Sequence, residues 1–310
     1  MISYAQNFED VLLARVFKGR NDGFYVDVGA ADPVNLSVTK WFYDLGWRGI
    51  NIEPNRQLFE RLAHDRPRDL NIECGVGALA GEAEFFEFEV GELSTFDRGA
   101  LDRLPSATPR RRTVPIVPLT ELLDKHHKDQ PISFLKIDVE GWEKEVLKGL
   151  DLTRYRPVVM IIEATVPQDT TSSHEDWESI VTAAGFTFVY FDGLNRFYLA
   201  NECIDLRKHF LTPPNVFDDF EQFPLVRART DAEERLKSIQ TLEAVLAESE
   251  ADRSARLVVI EELSKRLIEI DATVARSQTD RAAQSRAIDE LSKQLEDARS
   301  PFSKRRKDRT

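Results

Sequence analysis

Four carboxylates stand where short apolar runs end. Asp27 follows Phe24-Tyr25-Val26, Glu53 follows Ile50-Asn51-Ile52, Asp138 follows Leu135-Lys136-Ile137, and Glu163 follows Met160-Ile161-Ile162. If these runs are strands of one open α/β sheet, the acids share its carboxyl edge, where such sheets bind ligands. A carboxylate only accepts hydrogen bonds and does so with two oxygens, which suits a pair of vicinal hydroxyls. It also takes a proton from a reacting hydroxyl or binds a hard cation. Each acid has a structural alternative as a helix cap or solvated loop residue, yet four on one edge are hard to assign to coincidence.

The first acid leads into a small-residue turn, Val28-Gly29-Ala30-Ala31-Asp32-Pro33. A turn of that kind lets a ligand approach the backbone, and Glu53 at the next strand end is placed for a ribose diol. Dinucleotide and S-adenosylmethionine sites share both features. A pyrophosphate calls for G-x-G-x-x-G. Here the second and third glycines are missing from Gly29-Ala30-Ala31-Asp32-Pro33-Val34, and Asp32 would repel phosphate. S-adenosylmethionine has a cationic sulfonium and no phosphate, so the residues favour it as cofactor.

For chemistry at the methyl group, Asp138 is the first candidate for base or acceptor orienter, with a helix N-cap as its alternative. Glu140 reads equally well as a first-turn acid stabilised by the helix dipole. Glu163 is the second candidate and the loop residue His174 the third. Asp138 and Glu163 would offer a divalent ion oxygen ligands from adjacent strand ends, but no metal site is assigned. Ser3-x-x-Gln6 resembles a capping pattern for an N-terminal helix carrying Glu9 and Asp10. Ser94 and Thr95 lie in a long loop and Asn195-Arg196 in a tight connection, and both could face an acceptor.

The elements that must position these groups alternate. Strands are expected over 24–28, 48–53, 71–76, 133–139, 158–164 and 187–191, and helices over 57–64, 142–150 and 175–184. That alternation indicates a mostly parallel sheet with helices on both faces. Residues 91–115, with the basic triplet Arg110-Arg111-Arg112, read as a loop. Glycine and proline are absent from Leu225 to Ser300. With Ile239 at heptad position a, Leu246, Ile260, Leu267, Val274, Ile288 and Leu295 share it. Leu242, Leu263, Ile270, Leu291 and Ala298 take d, while Ser249, Arg253, Arg256, Ser277, Arg281 and Gln284 interrupt the seam. This points to a coiled coil pairing with a second copy or with another coiled-coil protein; a solvated single helix or a packed pair is the alternative. The expected divisions are 1–224, a helical segment over 225–300 and a basic disordered tail over 301–310.

The 310 residues carry a net charge of -12, which argues against a general nucleic-acid binder. Cys74 and Cys203 stand far apart with no metal-ligand spacing, as free thiols in a reducing compartment would. No apolar run approaches the roughly 20 residues of a membrane span, and MISYAQNFED lacks a signal-peptide layout. The expectation is a cytoplasmic protein.

Five stretches resemble one family, the FkbM S-adenosylmethionine-dependent methyltransferases: ISYAQNFEDVLL, GFYVDVGAADPVNLSVTKWFYDLGWRGINIEPN, FLKIDVEGWEKEVLKGL, VVMIIEAT and YFDGLNRFYL. PPNVFDDF is similar to a segment that follows that domain. The resemblance covers roughly residues 1–220 and none of the helical tail. It implies a class I methyltransferase fold, a Rossmann-like sheet of seven mostly parallel strands with an antiparallel last hairpin. It also implies methyl transfer to oxygen, commonly on sugars or secondary metabolites. Carried over, Asp27, Gly29, Ala30 and Asp32 form the turn beside the methionine part, and Glu53 with Pro54 meets the ribose. Glu73 to Val76, Gly75 included, lie near the adenine, Asp138 lies near the methyl group, and Gln6 belongs to a helix that lids the cofactor. Two rival readings remain: an NAD-dependent sugar oxidoreductase or epimerase, and a non-catalytic domain displayed on a coiled coil.

Overall fold

The structure is a computed structural model that describes residues 1–88, 94–99, 108–128, 130–166 and 171–304, with side chains to residue 298 at the far end. Contacts divide the chain into two units, Met1–Arg229 and Thr230–Thr310.

In the first unit, the N-terminal strand β1 (Ile2–Ser3) is followed by α1 (Glu9–Val16), β2 (Phe24–Val28), α2 (Lys40–Asp44), β3 (Arg48–Ile52), α3 (Arg56–Asp65) and β4 (Leu70–Ile72). Next come three strands outside the main sheet, β5 (Gly75–Val76), β6 (Gly81–Glu87) and β7 (Arg110–Val117). The chain returns through α4 (Leu119–His126), β8 (Phe134–Ile137), α5 (Glu143–Lys148), β9 (Val159–Glu163), α6 (Glu178–Ala183), β10 (Phe186–Phe191) and β11 (Asn195–Ala200), then β12 (Glu221–Gln222). The seven-stranded sheet has the order β10-β11-β9-β8-β2-β3-β4.

The expectation of a mostly parallel sheet is corrected: the sheet is mixed. β2, β3, β4, β8 and β9 pair in parallel, while β11 runs antiparallel to both β9 and β10. The reason is the three-residue connection between β10 and β11. A tight turn joins only antiparallel neighbours, whereas a parallel pair needs a long crossover. Asp192 closes this turn by accepting from the backbone N–H groups of Leu194 and Asn195 at 2.8 and 2.6 Å.

Two further expectations change. The strand expected over 71–76 breaks after Ile72, so that β4 stays in the main sheet and β5 joins a second sheet of order β5-β7-β6. The basic triplet is not loop: Arg110–Val117 is β7, antiparallel to β6. Arg112 turns inward, donating to Glu73 at 2.9 Å and to the Pro54 carbonyl.

Strand alternation sorts the core into two layers. Val26, Ile50, Leu135, Ile137, Met160 and Ile162 pack with α4, α5 and α6 on one face. Tyr25, Phe134, Val159, Ile161, Phe197 and Leu199 pack on the other with Leu12, Leu13, Phe42 and Trp47. The N-terminus is tied in. β1 pairs in parallel with β12, and Arg15 binds Asp218 through two bonds of 2.5 Å.

α7 (Phe223–Lys304) is continuous from the end of the first unit through the described part of the second. Large apolar side chains between Leu236 and Leu295 are exposed by 48% or more. Residues 305–310 of the expected tail lie outside the described residues. Among the described residues, no helix is long and apolar enough to cross a membrane.

A candidate active-site cleft at the strand ends

The second core layer continues into polar residues at the carboxyl edge of the sheet. By strand parity, Asp27 follows Tyr25, Lys136 follows Phe134 and Glu163 follows Ile161, all on one face. Register brings Asp27 opposite Lys136 and Glu163 opposite Asn195. The result is a cleft open to solvent at the carboxyl edge of the sheet. Gln6, Asp27, Gly29, Ala30, Glu53, Pro54 and Asp138 line it, together with Ser94 and Phe96.

Lys136 organises the centre. Its ammonium lies 3.5 Å from Asp27 Oδ1 and 3.1 Å from Asp138 Oδ2, and it donates to the Gly29 carbonyl at 3.1 Å. Burial opposes this charge most strongly, but the Asp138 and Asp27 carboxylates outweigh burial and hold the lysine pKa above its usual value. Asp27 is raised by burial, partly offset by Lys136. Its Oδ1 accepts no hydrogen bond and has the Lys136 ammonium, 3.5 Å away, as its counter-charge.

The turn is built for close approach. Gly29 has φ of +77°, and a Cβ there would overlap the Asp138 carbonyl oxygen, so only glycine fits. Five non-glycine residues among those described have positive φ, and three of them, Ala31, Leu36 and Glu140, line the cleft. Such conformations cost roughly 1–3 kcal/mol each and cluster at functional sites. Glu53 secures the turn: Oε2 accepts from the Ala31 N–H at 2.9 Å and Oε1 from the Asn55 N–H at 2.7 Å. Burial raises its pKa to about 7 against these two bonds. Each oxygen keeps a second lone pair for another donor.

Asp138 follows β8, and Glu140 and Glu163 bring carboxylate oxygens to it, all three within 4.8 Å of one another. Burial first, then the Asp138 charge, raises both glutamates above the ordinary carboxylate range. The loop between Asp138 and α5 is held by Glu143 Oε1, which accepts from the Val139 and Gly141 N–H groups at 3.2 and 3.1 Å.

Several expected site residues are not brought to the cleft. Asp32 is buried elsewhere: Oδ1 accepts from the Val34 and Asn35 N–H groups at 2.8 Å, and Oδ2 pairs with Arg61 at 2.6 Å. Its charge is thus compensated, which removes the electrostatic argument against a pyrophosphate. Gly75 and Val76 belong to the second sheet, where a Cβ on Gly75 would strike Ile116 and Phe96. His174 bonds to Ser172 Oγ through Nδ1, with Glu178 3.6 Å from Nε2, and does not line the cleft. The Ser3-to-Gln6 cap does not form. Ser3 is in β1 and donates to Asp10 at 2.6 Å, and α1 starts after Phe8, which has positive φ. Gln6 nevertheless lines the cleft. Asn195 is buried, donating to Glu9 at 2.8 Å, and Arg196 pairs with Glu178 at 2.8 Å.

Lys136 is not among the residues the sequence singles out, although it carries a signal. A lysine inside a four-residue apolar strand, two before an acid, shares that acid's side of the pleat. For Glu140 the sequence offers a helix-dipole role equally well, and the structure brings it to Asp138.

The model of the family described as the methyltransferase FkbM domain matches residues 27–188, just over half of the chain. Among solved structures, the crystal structure of a TehB-like SAM-dependent methyltransferase from Corynebacterium glutamicum is similar at 7% identity and a TM-score of 0.36. That similarity covers 62% of this chain and 87% of that one. No curated protein matches the sequence.

Proposed function

This chain belongs to the methyltransferase FkbM domain family, and from that premise we propose that the cleft binds S-adenosylmethionine and serves methyl transfer to a hydroxyl of a sugar, polysaccharide or related metabolite. The observation that carries this reading is the set of acids around a glycine turn with no room for a Cβ. When bound, S-adenosylmethionine supplies a methyl group on a cationic sulfonium.

The chain's own groups do the rest. The Gly29–Ala31 backbone admits the ligand closely. Glu53 orients a ribose by accepting from its hydroxyls with the lone pairs its two backbone bonds leave free. Asp27 and Asp138 place negative charge opposite a cationic ligand, and Lys136 fixes where they point. Asp138 is the base for the acceptor. Its Oδ2 is held by Lys136, so the hydroxyl proton moves to Oδ1 as the oxygen attacks. Positioning and this proton transfer are what a displacement with a good leaving group requires of a protein.

The half-exposed apolar stripe of α7 supports self-association through that helix, most simply as a parallel pair.

Calorimetric titration of the full chain with S-adenosylmethionine, S-adenosylhomocysteine and NAD tests the cofactor. Binding of the first two and not the third is expected. NAD binding alone would return the oxidoreductase reading, which the neutralised Asp32 no longer opposes.

A further inference from the structure

The acids at and beside the cleft differ in what balances their charge; Glu163 does not line the cleft itself but lies against Asp138 and Glu140. Asp27 and Asp138 share Lys136. Among the described residues, Glu140 and Glu163 have no cation within ion-pair distance. Glu163 is only 5% exposed, and its Oε2 accepts no hydrogen bond. The amide facing it across the strands, Asn195, is engaged by Glu9 and Asp192. The Thr95 hydroxyl donates to the Glu140 main-chain carbonyl and not to its carboxylate. A buried carboxylate without a donor or counter-charge costs several kcal/mol. Either a proton shared with Asp138 or a cation from solution must therefore meet Glu163.

We propose that Asp138, Glu140 and Glu163 form a binding site for one hard divalent cation of the Mg²⁺ class. Each residue offers one oxygen, and the three oxygens lie within 4.8 Å of one another. Ligands on opposite sides of one ion are about 4.2 Å apart for Mg²⁺ and about 4.6–5.2 Å for Ca²⁺, so small side-chain adjustments close the site. The donor set is all carboxylate, which selects Mg²⁺, Mn²⁺ or Ca²⁺ over metals that prefer nitrogen or sulfur. Asp138 Oδ2 is held by Lys136, leaving Oδ1 for the ion. Behind the ligands, Glu143 clamps the loop that carries Asp138 and Glu140, an outer support typical of metal sites.

Three protein ligands leave coordination positions open. On the methyl-transfer reading, on which this step alone rests, they would take oxygens of the acceptor, and a vicinal diol would fill two of them. With Asp138 Oδ1 engaged as a ligand, the ion would take over the part given to Asp138 as base: the acceptor hydroxyl would be acidified on the ion and its proton released to water.

The test is electron paramagnetic resonance of Mn²⁺ titrated into chelator-treated full-length protein. One Mn²⁺ per chain should bind and be displaced by Mg²⁺ or Ca²⁺. Glu163→Gln and Glu140→Gln should each weaken binding by 10-fold or more, whereas Asp124→Asn, away from the cleft, should leave it unchanged. Absence of saturable binding below millimolar Mn²⁺, or binding that both glutamine variants retain at full strength, overturns the site. Glu140 is partly exposed, so if Glu163→Gln does not fold, Glu140→Gln decides alone. S-adenosylhomocysteine binding, measured by calorimetry without metal, separates the two ideas. Its loss with Mn²⁺ binding intact sinks the methyltransferase reading, and the reverse result sinks the cation site.

Discussion

The two units handle apolar residues in opposite ways. In the first, Phe134 is fully buried among Phe17, Tyr25, Phe42 and Trp47, and the strand β9 is buried along its whole length. In the second, Leu267 is 62% exposed and Ile268 69%. Burial of a large apolar side chain contributes about 1.5–3 kcal/mol. The first unit therefore holds its own fold together, and the same layers place acids at the strand ends. The second unit has good helix formers and no glycine or proline before residue 300, so its helix is locally favoured. Its apolar stripe gains nothing from burial until another surface covers it.

The largest effect should separate the units directly. Phe134→Ala is expected to cost about 3–5 kcal/mol in denaturant unfolding, the range for deleting a buried aromatic side chain. Equal losses from Phe134→Ala and Leu267→Ala would break the contrast.

Asp138→Asn should leave S-adenosylmethionine affinity within a few-fold and lower turnover roughly 10²-fold or more, as loss of a general base does. It should do so equally in the full chain and in a chain cut after Arg229. Unchanged turnover would make Asp138 a structural acid and move the proton to Glu163.

Glu53→Ala should weaken S-adenosylmethionine binding by about 1.5–3 kcal/mol, the scale for hydrogen bonds to a charged group. Part of that loss is indirect, because the Ala31 and Asn55 N–H groups lose their acceptor. Full affinity in the folded variant removes Glu53 from the site.

A smaller effect concerns pH. Burial foremost, with the Asp192 charge behind it, raises Glu9 from 4.5 to about 8, and burial raises Asp10 to about 6. The folded state then holds protons that the unfolded chain has released, so stability falls as pH rises from about 4.5 to about 8. Glu9→Gln should reduce the slope of Tm against pH over that window, to which Glu53 and Glu140 also contribute. Because Glu9 lies in the first unit, removing the helix should leave the slope in place. A slope that Glu9→Gln does not alter means that the group is ionised and solvated.

The smallest effect is expected at Leu267→Ala in a monomer, within about 0.5 kcal/mol, as for other surface substitutions. In a self-associated helix the same change should lower the oligomer's stability measurably. Light scattering on the full chain and on the chain ending at Arg229 decides which case applies. A monomeric full chain at tens of micromolar ends the self-association reading and points to a different partner protein.

Much of this was legible because it is local. The runs at Phe24–Val28, Arg48–Ile52, Phe134–Ile137 and Val159–Glu163 are short and apolar, and each strand end places its acid by its own periodicity. The heptad stripe of the second unit is also a property of one continuous segment. Less legible were elements with mixed patterns: β7 begins with three arginines, so its hydrophobic alternation is masked, and α1 begins without a side-chain cap.

The sequence by itself determined that acids would gather at the carboxyl edge of an α/β sheet and that a long helix would follow, since pleat and heptad periods require only neighbouring residues. Tertiary structure decided which acids act together. Lys136 reaches Asp27 and the Gly29 carbonyl, more than 100 positions earlier, because β2 and β8 pair in a register that no local pattern encodes. Asp32 turns to Arg61 instead of the cleft, and Glu140 turns toward Glu163 through a left-handed backbone. A side chain's direction at a loop depends on what is packed against it, and those neighbours come from distant parts of the chain.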